Sequence, residues 1–162
     1  MLRVLSTCAF ALLAGPAAAD WAFRPSEASD DLGSAYVRNS QGHTLDVGCG
    51  NSGEIALQIT PDISRQASGV EAYTMVFEGE RGMLLVPLTC EQWGCSSDSA
   101  YPDGQVWTQR QKEVLIDHIR RAPKVSIWMH ATDEKIISEF SLTGSTAALG
   151  KLAESARGCI GL

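Results

Sequence analysis

Apolar and polar residues alternate along seven segments of this chain, and a period of two confines those segments to strands. Glu54 to Thr60 places Ile55, Leu57 and Ile59 on one face, and Lys124 to Ala131 aligns Val125, Ile127 and Met129. Val70 to Phe77 sets Tyr73, Met75 and Phe77 opposite Ala72, Thr74 and Val76. Successive strand side chains point to opposite faces, so each segment has one side to bury. Tyr36 to Arg38, His43 to Val47, Met83 to Leu88 and Ile136 to Leu142 read the same way. Asn39-Ser40-Gln41-Gly42 and Glu78-Gly79-Glu80-Arg81-Gly82 are turn formers between them, and hairpins are the short connection at these lengths.

Two segments leave that period. Arg110 to Arg121 clusters Val114, Leu115, Ile116 and Ile119, with a capping box available in Thr108 and Gln111 and a stop at Ala122-Pro123. After Gly144, Ser145 can cap a second helix in which Ala148, Leu149, Leu152, Ala153 and Ala156 form one stripe, ending at Gly158. The expected fold is therefore mainly β, of the α+β kind. It is an antiparallel sheet or β-sandwich with one helix before the last two strands and another at the C-terminus.

Residues 1–19 read as a secretory signal peptide: basic Arg3, an apolar run from Val4 to Leu13, and Ala17-Ala18-Ala19 before Asp20. Leu5-Ser6-Thr7-Cys8 superficially resembles a lipid-attachment box, but Cys8 precedes most of the apolar run and leaves with the signal. Residues 20–162 then form a single domain, periplasmic or secreted, without a second stretch long enough to enter a membrane. Removing Arg3 from the 13 basic residues leaves 12 against 19 acidic ones, a formal charge of −7. That charge repels nucleic acid and anionic lipid. The basic run Arg120, Arg121 and Lys124 reads as complementation of a helix C-terminus.

Without Cys8 the cysteines are Cys49, Cys90, Cys95 and Cys159, an even number that in an oxidising compartment forms two disulfides with three possible connectivities. Cys159 continues the stripe of the last helix, and Cys49 shares a strand face with Leu45 and Val47, so both sulfurs point to the core. The expected pairs are Cys49 with Cys159, worth on the order of 4 to 5 kcal/mol by loop entropy, and Cys90 with Cys95, worth about 2 kcal/mol.

Motifs for chemistry are sparse. Gly48-Cys49-Gly50-Asn51-Ser52-Gly53 matches the dinucleotide-binding spacing, but a strand-like segment follows where a helix N-terminus is needed, so a hairpin turn is expected and no cofactor. Ser52 lacks the second flanking glycine of a nucleophile elbow, because Glu54 stands two residues after it, and His43, His118 and His130 stand apart. Cys90 and Cys95 have no second ligand pair for zinc. Their four-residue spacing is not that of a redox pair. Asp98 and Asp103 fall in a run where Pro102-Asp103-Gly104 is a sufficient turn signal.

Of the four tryptophans, Trp128 is expected in sheet packing and Trp21 over the sheet end. Trp93 and Trp107, with Tyr101, lie in turn-rich surroundings. They are the candidate binding residues, as exposed anchors or as lids folded over the core.

Cys90 to Cys95 ending in Gly94-Cys95, the helix, the strand through Val125 and Ile127, and Phe140-Ser141-Leu142-Thr143-Gly144-Ser145-Thr146-Ala147-Ala148-Leu149 resemble the invasion-associated locus B family of exported proteobacterial proteins. Ser145 stands where that family carries an aromatic residue. The N-terminal half, through Gly42-His43-Thr44-Leu45-Asp46-Val47-Gly48-Cys49, is more similar to exported accessory proteins of type VI secretion. The resemblance implies export, a β-rich disulfide-bonded fold and an envelope or host-interaction role, with no active-site motif to carry over. A non-enzymatic domain binding another envelope or extracellular protein is the expectation. The alternatives are an inhibitor presenting the Cys90–Cys95 loop to a hydrolase cleft, and a hydrolase centred on His118 or His130.

Overall fold

The computed structural model describes residues 20–26, 31–50, 55–60, 72–79, 82–91, 94–97, 109–130 and 135–155. The strands are β1 (Ala22–Arg24), β2 (Asp31–Arg38), β3 (Thr44–Gly50), β4 (Ile55–Thr60), β5 (Ala72–Gly79), β6 (Gly82–Glu91), β7 (Gly94–Ser96), β8 (Lys124–His130) and β9 (Lys135–Ser141). The helices are α1 (Gln109–Arg121), between β7 and β8, and α2 (Ser145–Ser155), after β9. The mainly β fold with these two helix positions is the one the alternation predicts. Of the two architectures left open, the strands adopt one nine-stranded antiparallel sheet, ordered β1-β2-β3-β4-β7-β6-β5-β8-β9.

The alternating segments take their expected faces. Ile55, Leu57 and Ile59 are buried, as are Tyr73, Met75 and Phe77, and Val125 and Ile127. They join Val37, Leu45 and Phe140 in one core cluster, to which α1 contributes Leu115, Ile116 and Ile119 and α2 contributes Ala148, Leu149 and Leu152. At the Gly48–Gly53 motif Cys49 pairs with Ile55 across β3 and β4, and the next described element is the strand β4, not a helix. Strands β1 and β7 were not legible, being three residues each, too short for any period to register.

The join between the helices differs from the expected cap. Ser145 does not turn its hydroxyl to its own helix; Ser145 Oγ donates to Ile119 O at 2.7 Å, and Thr146 Oγ1 donates to Arg120 O at 3.5 Å. The last carbonyls of α1 lack intrahelical donors, and the start of α2 supplies them. Ser145 is 1 % exposed, so this contact leaves no room for an aromatic ring at that position. Thr108, the other proposed cap, lies outside the described residues.

The two ends of the strand order meet. β1 pairs with β2 only as far as Tyr36, which leaves the last residues of β2 uncovered by it. There β9 approaches, and alternate carbonyls along its free edge accept side-chain donors. Gln41 Nε2 donates to Ile137 O at 3.4 Å, Asn39 Nδ2 to Glu139 O at 3.1 Å, and Trp21 Nε1 to Ser141 O at 3.0 Å. Side chains close the sheet here in place of a backbone ladder, and they occupy an edge that would otherwise template pairing with another strand. A bulge in β9 makes this possible. Ile127 faces Ser138 while Trp128 faces Ile136, so Ile137 and Ser138 both turn inward.

Candidate functional site

The Cys90–Cys95 motif is a stapled hairpin. Cys90 and Cys95 stand directly opposite each other in the β6–β7 ladder and are disulfide-bonded, and Glu91 pairs with Gly94, so residues 92 and 93 join the strands. The Cα separation of 3.9 Å belongs to a close pair that exchanges no backbone hydrogen bonds. Thr89 and Glu91 therefore turn their backbone groups to β7, and Pro87, of the same parity, faces away from β5, where its missing N–H costs nothing. Cys95 is wholly buried and Cys90 packs on the core, so the staple lies on the inner side of the sheet. Gly94 permits the crowding that follows, because a Cβ there would sit 2.5 Å from Ile59 O on β4.

Trp93, Tyr101 and Trp107, the candidate binding residues, lie outside the described residues, as do Asp98 and Asp103. Cys49 is disulfide-bonded and 2 % exposed, whereas Cys159, its expected partner, lies outside the described residues. Trp21 packs partly buried against the core, over the end of the sheet as expected. Of the basic run, Arg120 and Arg121 lie in the last turn of α1, where Arg121 Nε donates to Asp117 one turn back, whereas Lys124 lies on β8 and pairs with Glu139 on β9. Each of these partners is substantially exposed, so neither bridge contributes more than about 1 kcal/mol. Glu139 is held below the usual carboxylate range by bonds from Lys124 and Ser126, and Lys124 is raised by the same contact.

The outer face of β6, β5, β8 and β9 carries the feature that sequence reading missed. Met83 is 62 % exposed, Leu85 55 % and Ile136 42 %. Leu85 stands opposite Val76, while Pro87, Thr74, Trp128 and Ile136 form the next row across all four strands. The neighbouring rows are mixed, since the Leu85 row continues through Val76 to Ser126 and Glu139 and the Met83 row through Glu78 to Lys124 and Ser141, so the exposed apolar residues of this face are rimmed by polar and charged ones, an arrangement that marks interaction surfaces. Trp128 belongs to it, with its indole N–H buried and without an acceptor among the described residues. The sequence signal was Met83-Leu84-Leu85-Val86: four consecutive apolar residues make both faces of a strand apolar, not one.

The histidines do not assemble a reactive centre among the described residues. His118 borders a cleft of about 650 Å³ with Glu78, Asp117, Arg121 and Pro123. Its Nδ1 lies 2.9 Å from Val114 O, so Nδ1–H donates to that carbonyl. No serine, threonine or cysteine is among the described residues that line this cleft. His130 ends β8 opposite Ala72. His43 Nδ1 lies 3.0 Å from Ser138 Oγ, a nucleophile-and-base pairing by composition, yet the two residues are 3 % and 2 % exposed and no substrate reaches them. No cluster of three or more potential metal ligands occurs among the described residues.

Comparison with protein-family models, with curated proteins and with solved structures finds no match. The resemblance to the invasion-associated locus B family rests on the quoted motifs.

Proposed function

We propose that this chain is an exported, non-enzymatic binding domain whose partner is another envelope or extracellular protein. The observation that carries the reading is the set of exposed apolar side chains on the outer face, Met83 and Leu85 on β6 and Ile136 on β9. β6 runs from this face directly into the Cys90–Cys95 staple, which fixes one end of the strand that displays it. A rigid strand loses little freedom on docking, which favours affinity. A disulfide, and the lack of any helix long and apolar enough to cross a membrane among the described residues, agree with export.

The reading is tested with purified protein from which residues 1–19 have been removed, together with the double variant Met83→Ser/Leu85→Ser. Retention of defined envelope proteins by the parent and not by the correctly folded variant supports it. Equal retention by both, or turnover of an envelope polymer by the parent, contradicts it.

A further inference from the structure

Strand β6 has a partner on only one side at every position among the described residues. Its hairpin partner β5 covers Gly82 to Leu88, whereas β7, on the other side, covers only Thr89 to Glu91. The Gly79–Gly82 pair closes the hairpin by exchanging backbone hydrogen bonds, the usual closure of a two-residue connection, so Leu84, Val86 and Leu88 also turn their backbone groups to β5. Met83 and Leu85 therefore turn their N–H and C=O groups, and Pro87 its C=O, to the opposite side. The Cys90–Cys95 pair sets the same parity from the other end of the strand. None of these groups meets a partner among the described residues.

A lane one strand wide lies along that edge. β7 occupies its beginning, between β4 and β6, with Ser96 opposite both Gln58 and Thr89. Ser97 continues the line, its N–H donating to Leu57 O. By the same registers Ile55, where β4 begins, is level with Val86, so beside Met83 and Leu85 the lane is bounded by β6 alone among the described residues. The edge of β9 is blunted by the side chains of Gln41, Asn39 and Trp21, and no described side chain does the same for β6. An open edge beside exposed apolar side chains is a template for another strand.

We propose that the partner docks by strand addition: an extended segment of the partner protein, apolar at alternate residues, pairs with the Met83–Leu85 edge of β6. This rests on the reading that the chain binds a protein through the outer face of β6, and it names how that protein is held. The backbone of the added strand satisfies the N–H and C=O groups of Met83 and Leu85, and Pro87, which has no N–H to offer, limits the pairing at that end. Its apolar side chains stand beside Met83 and Leu85 on the outer face and cover surface that water now meets. A single strand suits the lane better than a second copy, because a copy could offer β6 only with β5 attached, and β4 stands one strand away at Ile55.

The test uses protein from which residues 1–19 have been removed. The probe is a synthetic peptide of alternating valine and threonine at about millimolar concentration, which registers weak pairing, with a lysine at each end to suit a chain of net negative charge. Amide exchange is read residue by residue by NMR. In the free protein Met83 and Leu85 are expected to exchange freely, whereas Leu84 and Val86 are protected by β5. The peptide should slow exchange at Met83 and Leu85 by about threefold or more, and should bring its backbone protons into contact with the Cα hydrogens of Leu84 and Val86, which turn to the open edge. Contact with the side chains of Met83, Leu85 or Ile136 without slower exchange, or no contact at all, would overturn strand addition. Retention of envelope proteins, compared between the parent and Met83→Ser/Leu85→Ser, decides the outer-face reading separately. Protection of Met83 and Leu85 in the free protein overturns strand addition as well. If that protection grows with protein concentration the occupant is a second copy, and if it does not the chain covers its own edge.

Discussion

Asn39 and Glu139, a hundred residues apart, are joined by a 3.1 Å bond from a side-chain amide to a backbone carbonyl, and Asn39 also holds the turn that precedes β3. Its amide has a donor and an acceptor role that no smaller side chain reproduces. Asn39→Ala is expected to lower stability by about 2 to 3 kcal/mol, since buried partners lose their bonds. Asn39→Asp keeps the acceptor and removes both donors. Denaturant unfolding in which Asn39→Ala is as stable as the parent would show that the edge contact is incidental.

Gly94 is required by crowding, not by an unusual backbone angle. A methyl group at this position meets Ile59 O on the neighbouring strand. Gly94→Ala is expected to destabilise by about 1 to 3 kcal/mol, the usual range for overpacking, and to loosen the short pairing of β7 with β4. The check is thermal unfolding together with amide protection at Ile59 and Cys95.

How far the sequence carried this account is seen in two strands. Ile55, Leu57 and Ile59 announced β4 because one face is buried and the other is not. Strand β6 announced itself as a strand only, because Met83 to Val86 is apolar at both parities and nothing in the pattern says which parity meets solvent. The His43, Asn39 and Ser138 cluster was illegible for another reason: its bonds join residues nearly a hundred positions apart, and a bulge at Ile137 shifts the parity that would have placed Ser138. Ser145 shows the same limit at a helix start, where the local rule predicts a cap and a tertiary acceptor, Ile119 O, takes the hydroxyl.

Stability should depend on pH through His43. Its folded-state proton affinity is lowered by burial, so at a pH above the unfolded value of 6.5 both states are neutral and the group contributes nothing. As pH falls below that value the unfolded chain binds the proton first, and stability declines until the folded pKa is passed. Chemical denaturation from about pH 8 to about pH 5 should show this decline in the parent and a smaller one in His43→Gln. A decline of equal size in both would assign the acid sensitivity elsewhere.

The disulfides differ in what they restrain. Replacing Cys90 and Cys95 by serine opens a short loop and is expected to cost about 2 kcal/mol, whereas opening a Cys49–Cys159 bridge would cost on the order of 4 to 5 kcal/mol. Non-reducing peptide mapping should join Cys49 to Cys159. A fragment joining Cys49 to any other cysteine would refute that pairing.

The central claim, that the outer face of β6 is the binding surface, is tested by a photo-crosslinking residue placed at position 85 in the exported protein, with position 58 on the outer side of β4 as the comparison. One defined envelope or extracellular protein should be captured from position 85 and not from 58, and the yield should fall by about tenfold, roughly 1.4 kcal/mol, when Met83 and Ile136 are changed to serine. Capture of the same protein with equal yield from both positions, or a yield unaffected by those substitutions, would contradict the account.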